Sequence, residues 1–161
     1  IENAQQIIAR MREASPAMLL AVFALTPAVI EELCFRGYLF SALQGALSPR
    51  RTILLTAVLF GLFHVLTGNA LLIERFLPST LMGIVIGWVA YRTGSVLPGI
   101  VIHFVHNGLL NMVLYYQDQL SFLGEGFDNQ AHLPLQWLAI AGLLVAVGGL
   151  LVWAGTRSKS R

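Results

Sequence analysis

Residues 97–117 read LPGIVIHFVHNGLLNMVLYYQ, a run without a single Asp, Glu, Lys or Arg. About 20 predominantly apolar residues suffice for a helix to cross a bilayer, so this stretch alone predicts a membrane span. It also carries His103, His106 and Asn107, polar groups that are costly inside hydrocarbon. Four further apolar runs flank it, at Pro16–Leu33, Thr52–Leu66, Phe76–Tyr91 and Pro134–Ala154. The second and third runs of the chain are short, which a bilayer tolerates at modest cost. Across the 161 residues, 57% are apolar before glycine is counted and 11% are charged. Soluble domains run about 45–50% apolar with glycine included and about 25% charged. The expected fold is therefore all-α: one polytopic transmembrane helix bundle over residues 1–161, with about five spanning helices plus short interfacial helices.

Several classes drop out at once. The composition excludes a disordered chain and a highly charged nucleic-acid binder. One cysteine, Cys34, excludes an internal disulfide framework and reads as a small apolar helix residue. The start, Ile1-Glu2-Asn3-Ala4, has neither Met nor a basic n-region. It reads as the beginning of a piece of a longer chain.

Punctuation fits helices. Pro16, Pro98 and Pro134 stand at the first turn of a run, where a missing N–H costs least. Gly94-Ser95 breaks between the third and fourth runs. Gly83 and Gly87 form a GxxxG that lets another backbone approach. Asn3–Glu13 reads as an amphipathic interfacial helix. Residues 37–47, GYLFSALQGAL, are too short to span and read as a second short interfacial or bent helix. Residues 118–132 read as a polar loop. Counting charges at alternate ends puts Arg36, Arg50, Arg51, Arg92, Arg157, Lys159 and Arg161 on one side, against Arg10, Arg12 and Arg75 on the other. The positive-inside rule makes the first side cytoplasmic.

Ionisable groups within spans mark function by default. They form three clusters: Glu31-Glu32-Leu33-Cys34-Phe35-Arg36, Phe60-Gly61-Leu62-Phe63-His64, and His103-Phe104-Val105-His106-Asn107. Glu32 and Arg36 are four apart, share a helix face and can pair. Glu31 is turned about 100° from Glu32, so the two carboxylates have different jobs. Glu32 is the expected structural partner of Arg36, and Glu31 a candidate general base. His103 and Asn107 are also four apart and can aim two N–H groups at one point, as an oxyanion site needs. His106 is a candidate for a supporting layer behind them.

Taken together, EExxxR, FxxxH and HxxxN in that order on successive membrane helices resemble the CPBP family. These are the CAAX prenyl endopeptidase and bacteriocin-processing proteins, also called the Abi family. The matching residues are Glu31, Glu32 and Arg36; Phe60 and His64; His103 and Asn107. The resemblance covers about residues 17–116, leaving 134–155 as an extra helix. It implies an intramembrane endopeptidase in which Glu31 and His64 activate a water, while His103 and Asn107 stabilise the oxyanion. Its substrate would be a membrane-associated protein or peptide cut near the cytoplasmic face of the bilayer. The protein would be a multi-pass integral membrane protein, in the inner membrane if the source is bacterial.

Metal is a separate question. Glu31, His64 and His103 could supply three ligands to a divalent ion such as zinc and leave a position open for water, or work without one. No nucleotide, organic cofactor or nucleic-acid partner is expected. Two other readings stand beside the protease. One is a non-catalytic membrane adaptor or immunity protein, which would be expected to lose Glu31 or His64. The other is a transport role behind an upstream permease domain. The chain has no GxxxxGK[ST] and so is not the ATPase of such a system.

Overall fold

A computed structural model describes residues 12–67, 73–116, 119 and 135–156. Five long helices carry the fold, and no strand occurs among the described residues. They are α1 (Pro16–Gln44), α2 (Pro49–Leu66), α3 (Ile73–Thr93), α4 (Leu97–Tyr115) and α5 (Leu135–Thr156). Over its described residues each predicted apolar run is helical, the fourth ending at Tyr115 with Gln117 outside the described residues. Among the described residues, α1, α2 and α4 are long and apolar enough to cross a membrane. The remaining expectations for Asn3–Glu13 up to residue 11, for Pro134, and for 118–132 apart from Gln119 lie outside the described residues.

The helix starts follow their local chemistry. Ser15 accepts the Met18 N–H at 3.2 Å, and Pro16 follows where no donor is needed. Ser95 Oγ accepts the Leu97 N–H at 3.2 Å at the head of α4. Between α3 and α4, Gly94 has φ +65°, a left-handed conformation that glycine adopts without a Cβ penalty.

The first helix departs from expectation. The sequence suggested an end at Leu33 and a separate short helix over 37–47, but α1 runs unbroken to Gln44. Two of the charges that look like a helix end, Glu32 and Arg36, pair with each other fully buried inside the protein, so they do not force the chain into water there. Arg36 is 2% exposed. It therefore does not count as a cytoplasmic charge, and Arg157, Lys159 and Arg161 lie outside the described residues. Two stretches of α1 widen into π-helix, at Leu20–Leu25 and Leu33–Leu39. Pro27 explains the first. It has no N–H for the Phe23 carbonyl, and its ring crowds that carbonyl. The preceding turn opens until the Thr26 N–H bonds the Ala21 carbonyl five residues back, a carbonyl that Thr26 Oγ1 also reaches at 2.8 Å.

Packing uses small residues, as expected where lipid gives helices no hydrophobic reason to associate. A Cβ at Gly83 on α3 would lie 2.9 Å from Ala57 Cα on α2, and one at Gly61 on α2 would lie 2.9 Å from the Phe76 carbonyl on α3. The GxxxG of α3 is thus a contact face. Gly108 on α4 receives Leu20 of α1, with Ala24 beside it. Thr52 and Thr56 are fully buried, and their hydroxyls donate back to the Ser48 and Thr52 carbonyls at 3.2 and 2.8 Å. At the end of α3, Arg92 donates to Thr156 Oγ1 at 2.9 Å and to the Trp153 carbonyl at 3.3 Å, tying α5 to the bundle. Leucines and valines such as Leu54, Leu62, Val101 and Leu109 remain exposed, the surface a bilayer would cover.

Candidate active site

Three helices bring the polar clusters together, and two layers result. The inner layer centres on one oxygen. Glu32 Oε1 accepts from Arg36 Nη1 at 2.8 Å along α1 and lies 3.0 Å from His103 Nδ1 on α4. Both side chains of the Glu32–Arg36 pair are fully buried. Arg36 Nη2 donates to the Gly83 carbonyl on α3 at 3.0 Å, and its guanidinium lies 4.5 Å from the centroid of Phe60 on α2. The arginine therefore touches two other helices besides being charge-balanced within its own.

Phe60 joins the layers. Its ring meets the His64 ring at 4.5 Å and the His103 ring at 5.7 Å. Its backbone carbonyl lies 2.9 Å from His64 Nδ1. A carbonyl only accepts, so Nδ1 carries the proton and a neutral His64 presents a bare Nε2. The same reasoning applies to His103, whose Nδ1 faces a carboxylate already engaged by Arg36. This is the physical content of an aromatic residue four before a histidine: one turn of helix supplies both the ring's support and its tautomer.

The outer layer is looser. Glu31 Oε2 lies 3.6 Å from His64 Nε2 and 3.9 Å from His103 Nε2. These are too long for direct hydrogen bonds and are of the width that one water bridges. That oxygen is buried without a hydrogen-bond partner among the described residues. The side chains of Glu31 and His64 keep 16% and 22% exposure, so the centre is open on one side.

The other sequence-derived candidates fare differently. Asn107 stands one turn beyond His103 on the same face of α4 and is half-buried. Its side-chain amide takes no hydrogen-bond partner among the described residues, and its backbone carbonyl accepts from Asn111 Nδ2 at 2.8 Å. His106, expected in a supporting layer, is exposed; at one residue from Asn107, a helix turns it about 100° away. A cavity of about 140 Å³ lies beside Arg36, between α1 and the α3–α4 turn, lined by Ser41, Gln44, Tyr91 and Ser95 among others. None of Glu31, His64, His103 and Asn107 lines it.

Glu31, His64 and His103 have the donor types of a catalytic zinc site, and both histidines bind through Nδ1 to fixed acceptors, as zinc-bound histidines do. The spacing is against it. Ligands at 2.0–2.1 Å around a tetrahedral ion stand about 3.3 Å apart, whereas these are 3.6 and 3.9 Å apart. Among the described residues no group of three or more His, Cys, Asp or Glu side chains could hold a metal ion. The set does not fit an ion in this arrangement, and no step below runs through one.

Two contacts were not readable from the sequence. The approach of Glu32 to His103 spans 71 residues and depends on how α1 and α4 are rotated. The Gly83 carbonyl is a backbone group with no sequence signature, although the GxxxG did mark the helix face that holds it.

The chain matches the model of a known family. The family described as type II CAAX prenyl endopeptidase, Rce1-like, covers residues 13–109, a stretch that includes every residue of both layers and Asn107. No curated protein matches. No solved structure matches.

Proposed function

This chain belongs to the Rce1-like type II CAAX prenyl endopeptidase family, and from that premise we propose that it hydrolyses a peptide bond near the cytoplasmic membrane face by water activated between Glu31 and His64. The observation that carries the reading is the convergence of Glu31 Oε2, His64 Nε2 and His103 Nε2 at 3.6 and 3.9 Å. Glu31 Oε2 and His64 Nε2 are acceptors when Glu31 is ionised and His64 is neutral. A water placed between them is held by its own two hydrogens and presents its lone pairs outward, toward the side of His103. Glu31 takes the proton as the water oxygen attacks the peptide carbonyl. Collapse breaks the C–N bond, and the proton leaves on the amine.

Stabilising the oxyanion falls to His103 and Asn107. With its Nδ1 proton committed to Glu32, His103 donates through Nε2 only as an imidazolium. The Glu32 carboxylate behind the ring offsets that charge. Asn107 supplies a donor that does not titrate. The substrate is a membrane-associated protein or peptide, and the bilayer is the protein's surroundings.

Comparison of protein N-termini in cells making the wild type and Glu31→Gln tests this reading. The expected result is at least one new terminus, from a membrane-associated protein, present only with the wild type. Identical sets of termini at equal expression would overturn it.

A further inference from the structure

Glu32 does more than balance Arg36. Its Oε1 serves Arg36 Nη1 at 2.8 Å and His103 Nδ1 at 3.0 Å at once. A carboxylate engaged by a guanidinium is an acceptor, so the proton of the second bond belongs to Nδ1. That decides which nitrogen of His103 is left for the reacting centre: Nε2, on the side of Glu31.

The carboxylate itself is seated by shape. Its second oxygen, Oε2, is buried and has no hydrogen-bond partner among the described residues. It rests over Gly99 of α4, where a Cβ would lie 3.1 Å from Oε2, 3.7 Å from the carboxyl carbon and 2.8 Å from Ile86 Cγ2. Ile86 is fully buried. Any side chain at position 99 must therefore displace the Glu32 carboxylate, Ile86, or both. Gly99 precedes His103 by one turn, so a single helix provides both the imidazole and the gap that seats the carboxylate behind it.

We infer that Glu32 is a positioning residue for His103 and that Gly99 is a second one, acting through Glu32: together they keep the proton on Nδ1 and commit Nε2 to the peptide. The kinetic half of this inference rests on the proposed peptidase reaction, whereas the proton's location does not.

The test uses the full chain, labelled with ¹⁵N-histidine and placed in lipid nanodiscs, with the His103 signals identified by their loss in His103→Gln. Wild-type His103 is expected to show a protonated Nδ1. In Gly99→Ala the Nδ1 signal should move toward a mixture of tautomers, and kcat should fall about 10- to 100-fold, the usual cost of losing a group that orients a functional histidine. KM should stay within twofold. A bare Nδ1 in the wild type overturns the proposal whatever the enzyme does. So does folded Gly99→Ala with wild-type His103 signals and wild-type kcat. Should Gly99→Ala fail to fold, Glu32→Asp decides, because the shorter acid withdraws its oxygen from Nδ1; unchanged His103 signals there overturn the assignment. A protonated Nδ1 that responds to both substitutions in a protein cutting no peptide supports the positioning role and removes the peptidase reading instead.

Discussion

Glu31 and Glu32 are neighbours in the chain and opposites in the fold. Glu32 is sealed, with one oxygen bonded at 2.8 and 3.0 Å to two partners on two helices. Glu31 is part-exposed, and its nearest imidazole nitrogens stand 3.6 and 3.9 Å away. One rotation of about 100° sends one carboxylate into the helix–helix contacts and the other toward an opening. The difference teaches how a short membrane protein keeps a reactive site in shape. The rigid layer takes up the short Glu32–Arg36 and Glu32–His103 contacts, and in the layer above it no direct bond joins Glu31 to either imidazole, which leaves room for a reactant.

The largest expected effect separates the layers most sharply. Glu31→Gln should reduce single-turnover cleavage about 10⁴-fold, the upper range for loss of a general base, while the melting temperature in detergent stays near that of the wild type. A large fall in melting temperature would place Glu31 in the rigid layer and erase the distinction. Arg36→Ala is the converse. Removing one partner of a buried pair costs about 3–5 kcal/mol, so thermal unfolding should show a strongly destabilised protein even before activity is measured. A stable Arg36→Ala protein would mean that Glu32 is not charged in the fold.

Asn107 stands one turn beyond His103 on α4 and is half-buried. Losing one oxyanion donor costs about 100- to 1,000-fold in turnover, and Asn107→Ala should show that loss with KM little changed. Near-normal turnover would leave Asn107 as a packing amide. Gly83→Ala probes the rigid layer away from its charges. Its Cβ would stand 2.9 Å from Ala57 Cα, and overpacking of this kind costs about 1–3 kcal/mol, to be read from the unfolding midpoint. Smallest of all is the expected response to a chelator: no change in cleavage rate. Loss of activity that zinc restores would show that the open layer tightens around an ion during turnover.

Much of this was legible in the sequence, and the illegible part has a common cause. The Glu32–Arg36 pair, the divergence of Glu31 and the shared face of His103 and Asn107 all follow from residues within one turn of one helix, where the geometry is fixed by spacing. Helix type followed from long apolar runs, whereas of about five expected spans three, α1, α2 and α4, are long and apolar enough to cross a membrane among the described residues. The end of α1 did not, because Gly37 and the charges before it look like a surface when their partners are unknown. Those partners, the Gly83 carbonyl and the His103 ring, sit on other helices, and rotation between helices leaves no mark in local spacing. His106 shows the same limit from the other side: it has the right residue type and an exposed position.

The unbroken run of α1 has a further consequence. Its 29 residues measure about 43 Å, against a hydrocarbon core of about 30 Å, whereas the 19 residues of α4 measure about 28 Å. A Cβ at Gly37 would lie 3.9 Å from the side chain of Val96, at the foot of α4, so α4 starts level with Gly37 while α1 continues to Gln44. Lipid beside α4 would meet a shorter wall than lipid beside α1, a difference that tilt of the longer helix or local thinning of the bilayer accommodates. His103 sits only six residues into α4, about 9 Å along its axis. The carboxylates and imidazoles thus lie nearer one end of the bundle than the other, and the uneven lengths of two helices would decide how far that end stands from the surface of a bilayer around it.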